Sequence, residues 1–398
     1  MSEPKSTPDS YLIVGGVIQG RHAASLLAQR GETRVAIFDS MVPRERAYAF
    51  PVPDSVEMLM GDITDATIVS ATVKSFGATC IIHTGLSLQS QSGERVVDLD
   101  KGLTKAAQVN ALKKWMDESA KTKIETTRHL IEASRAYGVT KFVYMSDADI
   151  FFDGSERPML NEWTATLPTE FWTKYHEHTA QGELLTLRAN RRGDLRTAVI
   201  RPAEFFGAGS SAIYRSIAAM QRTPEIPNMQ VGDNTNLVDH THFANAAHAL
   251  ILAADRLSPA HPKHSLVAGR AFFITDGEPR PFFNFYRSLW KELTGEVAKR
   301  NGQPVVGRKM TLFASYLRGD PPEMRRRLKR MCSSRSYDIS LARQVLDYTP
   351  IVSHDEGIRD TIKWYREMKA GEKTGMTEAP PPYIPTEGDF FTEKSPFL

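Results

Sequence analysis

The stretch from Tyr11 to Asp39 constrains the fold of this chain more than any other part of the sequence. It begins with an apolar run, Tyr11–Val14, continues through a glycine-containing turn and a helix-patterned run, and ends with a second apolar run, Val35–Asp39. Two short apolar runs joined by a turn and a helix are typical of a βαβ unit, in which the two strands are parallel. The sequence therefore predicts that a parallel sheet begins here.

The turn of this unit contains Gly15, Gly16 and Gly20. In dinucleotide-binding units, glycines in this turn let the backbone approach the pyrophosphate, and an acid about 20 residues further on accepts from the ribose hydroxyls. Asp39 follows Gly15 by 24 residues and has no arginine directly after it, which favours NAD over NADP. A three-residue spacing from Gly15 would place the next glycines where isoleucine and arginine stand, so the sequence predicts a weakened dinucleotide site.

Composition excludes several classes of protein. The chain of 398 residues has a net charge of +3, too small to indicate a nucleic-acid partner, and its basic run Arg325–Arg330 is interpreted as a solvated helix face. The two cysteines, Cys80 and Cys332, allow no disulfide framework, which is typical of a reducing, cytoplasmic compartment. No apolar run approaches the ~20 residues that a membrane span needs, and the polar N-terminus does not resemble a signal peptide.

Apolar runs alternate with helix-patterned runs as far as Pro202, and the rhythm changes after it. This alternation predicts an α/β fold, a Rossmann-like doubly wound parallel sheet with helices on both faces and right-handed connections. The later pieces are expected to form a smaller C-terminal substrate-binding lobe over the carboxyl ends of the strands. The predicted organisation is a disordered N-terminus (1–10), a Rossmann-like core (11–204) with an insertion or loop (87–120), a substrate lobe interleaved with late core elements (205–369) and a Pro/Gly-rich tail (370–398).

Three residues that follow or end predicted strands are candidates for cofactor contact. Asp62 is placed to accept from an adenine amino group, with a helix N-cap as the ordinary alternative. Thr84, directly after His83, and Pro202 also stand at strand ends, where sheets of this kind bind ligands. For Thr84 the ordinary alternative is a turn residue without a role in binding.

Several longer motifs carry a resemblance to a known family. They are Gly61-Asp62-Ile63-Thr64-Asp65, Arg201-Pro202 with Phe206-Gly207, Gly232-Asp233-Asn234, and Phe272-Phe273-Ile274-Thr275-Asp276-Gly277-Glu278-Pro279. Over about residues 11–368 the chain is similar to the extended short-chain dehydrogenase/reductase superfamily, specifically to its 3β-hydroxysteroid dehydrogenase and sterol-4α-carboxylate 3-dehydrogenase family. The resemblance implies a nicotinamide cofactor and oxidation of a ring hydroxyl on a steroid-like substrate, and it is compatible with a homodimer.

The same resemblance implies an active site made of a Tyr-x-x-x-Lys pair on one helix, a serine or threonine after the preceding strand, and often an asparagine on an earlier helix. Tyr175 falls at the tyrosine position, but Thr179 stands where the lysine is expected. Asp147 matches the serine position, and the asparagine position falls near Lys123. Of this set, only the tyrosine is retained.

These departures predict a change in the chemistry of Tyr175. With a neutral Thr179 in place of a cation, the phenol is expected to keep a pKa near its free value of ~10 and to stay protonated at neutral pH. A carboxylate at Asp147 would raise that pKa further, because two anions repel in a partly buried site. A protonated tyrosine is a poor base for alcohol oxidation but a good hydrogen-bond donor, so dehydrogenation by this route is not expected.

The run His176-Glu177-His178 adds further acid–base candidates. Residues i and i+2 of a helix point about 200° apart, so the two imidazoles are not expected to grip one ion, and no metal site is predicted.

Three hypotheses follow. The preferred one is a non-redox enzyme that isomerises or cyclises an apolar polycyclic, polyketide-like or terpenoid-like molecule of secondary metabolism, using Tyr175, Asp147, His176 or His178 and no required cofactor. The alternative is an NAD-dependent dehydrogenase in which Lys123 supplies the missing positive charge. The third is a catalytically silent binding protein.

Overall fold

The computed structural model describes residues 9–15, 18–40, 52–85, 123–191, 193–298, 307–319 and 322–374. Gly16, the predicted insertion 87–120 and residues 375–398 of the predicted tail lie outside the described residues. The strands are β1 (Tyr11–Val14), β2 (Val35–Asp39), β3 (Glu57–Met60), β4 (Cys80–His83), β5 (Lys141–Met145), β6 (Arg157–Leu160), β7 (Arg196–Pro202), β8 (Glu204–Phe206), β9 (Leu237–Val238), β10 (His240–His242), β11 (Arg270–Ile274), β12 (Arg280–Pro281) and β13 (Arg335–Tyr337). The helices are α1 (Ile18–Gln29), α2 (Ala66–Phe76), α3 (123–136), α4 (Lys174–Ala189), α5 (Ser211–Arg222), α6 (Phe243–Arg256), α7 (His264–Val267), α8 (Phe282–Thr294), α9 (Arg308–Leu317), α10 (Pro322–Met331), α11 (Ser340–Leu346) and α12 (His354–Thr374).

Seven strands of the described residues form one parallel sheet in the order β11-β7-β5-β4-β1-β2-β3. β1 lies between β2 and β4, so that Val14 is opposite both Phe38 and His83. The chain adds strands on one side of β1 and then returns to add strands on the other side, and a crevice opens where that direction reverses. The predicted Rossmann-like doubly wound sheet is confirmed, and its ligand-binding edge lies at the carboxyl ends of β1 and β4.

Both faces of the sheet are buried, which explains why its strands read as uninterrupted apolar runs. Ile13 and Ile82 belong to an apolar cluster with side chains of α1 and α6. Leu12 and Ile81 belong to a second cluster with side chains of α2 and α3 on the opposite face. Helices on both faces leave the strand ends as the accessible edge of the sheet.

A smaller lobe stands beside the sheet. It contains a two-stranded pair, β10-β8, and a four-stranded sheet in the order β12-β9-β13-β6. Its apolar core is formed by side chains from α5, α8, α10 and α12, including Ile217, Leu289, Leu328 and Ile362. β6 comes from the first half of the chain and pairs with β13, so the lobe includes a strand from before its predicted start. Sequence patterns did not predict β6 or β13, because strands of three or four residues that mix polar and apolar side chains have no clear periodicity.

The basic run Arg325–Arg330 lies on α10, and the prediction of a solvated face is wrong for part of it. Arg330 is buried, and its guanidinium lies 2.7 Å from the carboxylate of Asp149. The guanidinium of Arg326 lies over the ring of Trp172, 4.5 Å from its centroid. Arginine can pair and stack in this way because its charged group is planar and weakly hydrated. Through these contacts α10 packs against the segment between β5 and α4.

The ends of the described chain extend slightly beyond the predicted core. Asp9 forms an ion pair of 2.5 Å with Lys141 at the start of β5, and Ser10 is buried, so the folded part begins before Tyr11. At the other end, α12 continues to Thr374, five residues into the predicted tail. Among the described helices, none is both long enough and apolar enough to cross a bilayer.

The glycine turn after β1 brings three backbone segments together. Gly15 has a φ of +109°, a conformation that L side chains rarely adopt. A Cβ built on Gly15 would overlap the carbonyl of Gly85, after β4, and a Cβ on Gly20 would overlap the carbonyl oxygen of Gly15. Gly20 therefore takes the role of the glycine that permits close helix–strand packing, which the three-residue spacing did not identify.

We expect Gly20→Ala to lower the free energy of unfolding by more than about 2 kcal/mol, because the new Cβ forces α1 away from β1. Urea unfolding followed by circular dichroism measures this change. Gly307→Ala is the matched control, since a Cβ there meets nothing within 4 Å. Equal stability of the two variants would show that the close packing at Gly20 is not required.

Candidate active site

The first turn of α4 holds Tyr175 at the carboxyl end of β5. Thr173 is the N-cap of α4, and its hydroxyl accepts from the backbone N–H of His176 at 3.2 Å. Further along α4, a Cβ on Gly182 would overlap the hydroxyl of Tyr144, so glycine lets α4 lie close to β5. Glu183 and Arg201 form a buried two-point ion pair that ties α4 to β7. The position of Tyr175 is therefore set by several independent contacts.

Lys123, at the start of the described part of α3, reaches Thr179, which stands at the position where the family pattern has a lysine. Its ammonium nitrogen is buried and donates to the Thr179 hydroxyl at 3.3 Å. The same nitrogen lies 5.2 Å from the ring centroid of Tyr144 and 5.3 Å from that of Tyr175. The expectation that Tyr175 has no ammonium group beside it is therefore wrong. The geometry matches the alternative in which Lys123 supplies the charge.

Burial and nearby charges shift the pKa values of Lys123 and Tyr175. Burial lowers the pKa of the Lys123 ammonium to about 8, and the nearby Asp147 carboxylate opposes that shift. Burial raises the pKa of the Tyr175 phenol above its usual value, the Asp147 carboxylate raises it further, and a hydrogen bond with Thr179 lowers it. The predicted direction of the Asp147 effect on Tyr175 is confirmed, but the expectation that the Tyr175 pKa stays near its free value is wrong, because burial raises it. Tyr175 as a whole residue is 39% exposed, so part of it faces solvent.

Asp147 follows β5 at the serine position of the family pattern. Its carboxylate accepts from the backbone N–H of Asp149 at 2.8 Å and so caps the short 3₁₀ turn Ala148–Phe151. Asp147 thus has a capping role, and its carboxylate also lies close enough to Lys123 and Tyr175 to shift the pKa values of both. Burial and the neighbouring Asp149 raise the pKa of Asp147 to about 6.

Asp149 is the centre of a buried charge network that sequence reasoning missed. Its carboxylate lies 2.7 Å from the Arg330 guanidinium and 2.5 Å from that of Arg335, and accepts from the hydroxyl of Tyr337. Both guanidinium groups also approach Glu204. The two arginines hold the pKa of Asp149 well below its usual range. The repetition Asp147-Ala148-Asp149 was a visible signal, but the arginine partners of Asp149 lie 181 and 186 residues further along the chain.

The two histidines on α4 have different surroundings. His176 is buried, and its Nδ1 lies 2.9 Å from the Thr173 hydroxyl. Burial lowers the pKa of His176 to about 3, and the adjacent Asp149 opposes that shift, so the imidazole is neutral at physiological pH. His178 is half-buried on the same helix. The structure therefore brings together Tyr175, Lys123 and Asp147, and places His176 against the network of Asp149.

The predicted cofactor residues lie along the crevice beside β1. Thr84 donates to the carbonyl oxygens of Val14 and Gly15 at 3.3 and 3.0 Å, and so closes the turn from the β4 side. Asp39 is fully buried at the end of β2 and accepts from the backbone N–H of Ser40 at 2.7 Å. Asp62 accepts from the backbone N–H and hydroxyl of Thr64 in a turn, and Asp65 is the N-cap of α2, so the N-cap alternative for Asp62 is wrong. Pro202 ends β7 opposite Ile274 of β11.

Comparison with known proteins identifies the family. A family model described as the 3-beta hydroxysteroid dehydrogenase/isomerase family matches residues 12–302. This chain belongs to that family. The match spans the whole β1–β4 crevice, the Tyr175 helix and much of the smaller lobe.

Individual relatives agree over almost the whole chain. A sterol-4-alpha-carboxylate 3-dehydrogenase, decarboxylating, of Schizosaccharomyces pombe is 28% identical over 363 residues, which cover 89% of this chain and 97% of the relative. A 3 beta-hydroxysteroid dehydrogenase/Delta 5→4-isomerase of Mycobacterium tuberculosis is 26% identical over 93% of this chain and 95% of its own length. The crystal structure of UDP-glucuronic acid 4-epimerase from Bacillus cereus in complex with NAD is similar with a TM-score of 0.61 at 16% identity, covering 90% of this chain and 99% of the epimerase. This last similarity shows the shared fold.

The raised pKa of Asp147 predicts that its charge destabilises the folded protein. A carboxyl group with a folded-state pKa of about 6, against a usual value of 3.8, costs stability as the pH rises from about 4 to 6. We expect Asp147→Asn to raise the free energy of unfolding by about 1–2 kcal/mol at pH 7, with the gain fading toward pH 4.

Urea titrations across this pH range measure the effect. Asp65→Asn is the matched control, because Asp65 also caps a helix but has a lowered pKa, and its replacement should give no gain at pH 7. A destabilised Asp147→Asn variant at neutral pH would contradict the prediction.

Proposed function

We propose that this chain is an NAD-dependent dehydrogenase that oxidises a ring hydroxyl of an apolar, steroid-like molecule. In this proposal Tyr175 receives the hydroxyl proton, and Lys123, rather than a lysine four residues after the tyrosine, supplies the positive charge beside it. The observation that carries the proposal is the Lys123 ammonium group, hydrogen-bonded to Thr179 and close to the Tyr175 ring.

The electrostatic argument follows from that position. A cation near a phenol favours the phenolate and lowers the pKa of the phenol, and the effect is stronger where water is excluded. Lys123 is buried, and its pKa of about 8 leaves it mainly charged at neutral pH. Asp147 acts in the opposite direction on Tyr175. Burial and Asp147 raise the proton affinity of Tyr175, whereas the hydrogen bond with Thr179 and, in this proposal, the Lys123 cation lower it.

The crevice residues fit a dinucleotide. Gly15 and Gly20 keep the turn free of side chains where α1 meets β1, and Asp39 stands at the end of β2 where a ribose would be bound. When bound, NAD would accept the hydride from the alcohol carbon. The relatives named above as dehydrogenases, and the epimerase that binds NAD on the same fold, support this cofactor.

The non-redox hypothesis of isomerisation or cyclisation rested on the absence of a cation beside Tyr175. Lys123 removes that premise, and the names of the relatives support dehydrogenation instead. We therefore adopt the dehydrogenase with a displaced lysine as the proposed function.

Replacing the lysine tests the proposal directly. We expect Lys123→Ala to lower kcat for oxidation of a 3β-hydroxysteroid by roughly 10²-fold or more, and Tyr175→Phe to do the same, because each removes part of the proton-transfer site. Formation of NADH, followed by its absorbance, gives the rate. Lys174→Ala is the matched control, since Lys174 is the exposed neighbour of Tyr175 and pairs with Glu177.

A second variant returns the cation to its family position. In Lys123→Ala combined with Thr179→Lys, the new ammonium group can occupy the space that Lys123 leaves, and we expect partial recovery of kcat. Failure of the unmodified protein to bind NAD or to oxidise any ring hydroxyl would overturn the proposed function. Full activity of Lys123→Ala would be compatible with a dehydrogenase, but it would show that Lys123 is not required for the reaction.

The charge balance also predicts a pH effect. Because burial and the Asp147 carboxylate raise the pKa of Tyr175, oxidation by the unmodified protein should increase with pH until Lys123, whose pKa is about 8, loses its charge. Asp147→Asn removes that anion, so the rising limb of the pH–rate profile should move to lower pH. A profile measured from pH 6 to 10 checks the direction, and an unchanged or alkaline-shifted limb would contradict it.

A further inference from the structure

Four imidazole side chains meet where α12 begins beside the parallel sheet. They are His22 of α1, His240 and His242 of β10, and His354, the first residue of α12. Each of the four residues is at most 5% exposed. We call these four residues the histidine cluster.

Aromatic contacts connect the histidine cluster across β8. The ring of Phe206, in β8, lies 5.3 Å from that of His242 and 5.1 Å from that of His354, measured between centroids. By the same measure, the ring of His240 lies 5.8 Å from that of His354. The ring of His22 lies 6.2 Å from that of His242. The cluster therefore links α1, β10 and α12 through contacts between rings.

Helix α12 packs tightly against these rings. A Cβ built on Gly357, in the first turn of α12, would lie 2.8 Å from the ring of Phe206 and 3.0 Å from that of His242. A Cβ built on Gly207 would lie 2.9 Å from Nε2 of His242. Neither backbone segment leaves room for a water molecule against these rings, so hydration of these faces requires α12 to move away.

The closed cluster suits neutral imidazoles. Nδ1 of His242 accepts from the backbone N–H of Ala244 at 3.3 Å, so the neutral ring carries its proton on Nε2. Protonation would turn Nδ1 into a donor that faces the same N–H. Among the described residues, Nε2 of His242, Nδ1 of His240 and both ring nitrogens of His354 have no hydrogen-bond partner. A buried cation without acceptors is costly, so added protons oppose the closed arrangement.

The charged groups around His240 partly offset one another. Burial lowers the pKa of His240 to about 3. The carboxylate of Glu204, in β8, opposes that shift, whereas His354, Arg335 of β13 and Arg280 of β12 add to it. His240 therefore stays neutral in the closed cluster at neutral and at mildly acidic pH.

His22 and His242 are also kept neutral. Burial lowers the pKa of His242, Asp276 and Asp360 oppose that shift, and His354 adds to it. Burial and the neighbouring His242 lower the pKa of His22 to about 3. Nδ1 of His354 lies 3.8 Å from a carboxylate oxygen of Asp276, beyond hydrogen-bond distance. At His242, burial thus outweighs the nearby carboxylates.

We propose that the histidine cluster is a pH-sensitive latch, which holds α12 against the sheet while its imidazoles are neutral and releases α12 when they take up protons. Just before α12, the backbone of Ile351 and Val352 is bonded to the side-chain amide of Asn245, so the released segment begins after Val352. Release would expose Ile358 and Ile362, which belong to the apolar core of the smaller lobe. The proposal does not depend on the redox chemistry, because it rests on the packing of the cluster.

The direction of the pH effect follows from the difference in proton binding between the two states. The pKa of a histidine such as His22 or His240 is lowered in the closed state and returns to its usual value of about 6.5 on release. The closed state is therefore favoured above that pH and loses stability as the pH falls below it. Between about pH 7 and pH 5, the equilibrium constant for release should increase about 20-fold for each such histidine.

Hydrogen exchange of the full chain, followed by mass spectrometry, tests the latch. After correction for the pH dependence of intrinsic exchange, we expect the amides of α12 to lose about 100-fold or more of their protection between about pH 7 and pH 5. At the lower pH they should exchange faster than the amides of β5. His240→Phe and His22→Phe each remove one titrating ring, so each should reduce the loss of protection about 20-fold. Because each variant is compared with itself at two pH values, a general change in stability cancels.

The matched control is His264→Phe, which removes an imidazole of α7 outside the cluster and should leave the pH-dependent loss unchanged. Equal protection of α12 at the two pH values would overturn the proposal, as would an undiminished loss in both cluster variants. Equal exchange of α12 and β5 at the lower pH would also overturn it, because α12 would then open only when the whole molecule unfolds.

Discussion

The proposed chemistry of this site depends on the buried ammonium group of Lys123. Taking a charge out of water is costly, and the lowered pKa of Lys123 is the visible consequence. The cost is partly offset by the hydroxyl of Thr179, by the faces of Tyr144 and Tyr175, and by the carboxylate of Asp147. Because these groups come from α3, α4, β5 and the turn after it, the cation exists beside Tyr175 only when all of these elements are in place.

A second set of charges holds the smaller lobe against the sheet. Asp149 is nearly enclosed by Arg330 and Arg335, and Glu204 approaches both arginines from the other side. Buried pairs of this kind add little net stability, but removal of one member leaves the others uncompensated. The network also keeps Asp149 ionised, and that charge raises the pKa of Asp147. The contact between the lobes therefore influences the proton affinity of a group beside Tyr175.

Sequence reasoning predicted the sheet well and the site in part. Period and composition suffice for strands such as Tyr11–Val14, because a strand buried on both faces must be apolar throughout. The same reasoning failed for the short strands β6 and β13, which lie far apart in the chain and pair only through the tertiary fold. For the glycine turn, the sequence analysis relied on a fixed spacing between glycines. It therefore missed that Gly20 permits the close packing of α1 against β1.

By itself, the sequence determined the alternation of strands and helices in the parallel sheet, the position of Tyr175 on its helix and the absence of a lysine four residues after it. These are local properties, set by the residues along one segment. Only the tertiary structure decided that the Lys123 ammonium group lies beside Thr179, where the family has its lysine. Lys123 and Thr179 are 56 residues apart in the chain and meet where α3 and α4 converge. Charge acts through space, so the charge beside a catalytic group can be assigned only when the fold has brought its neighbours together.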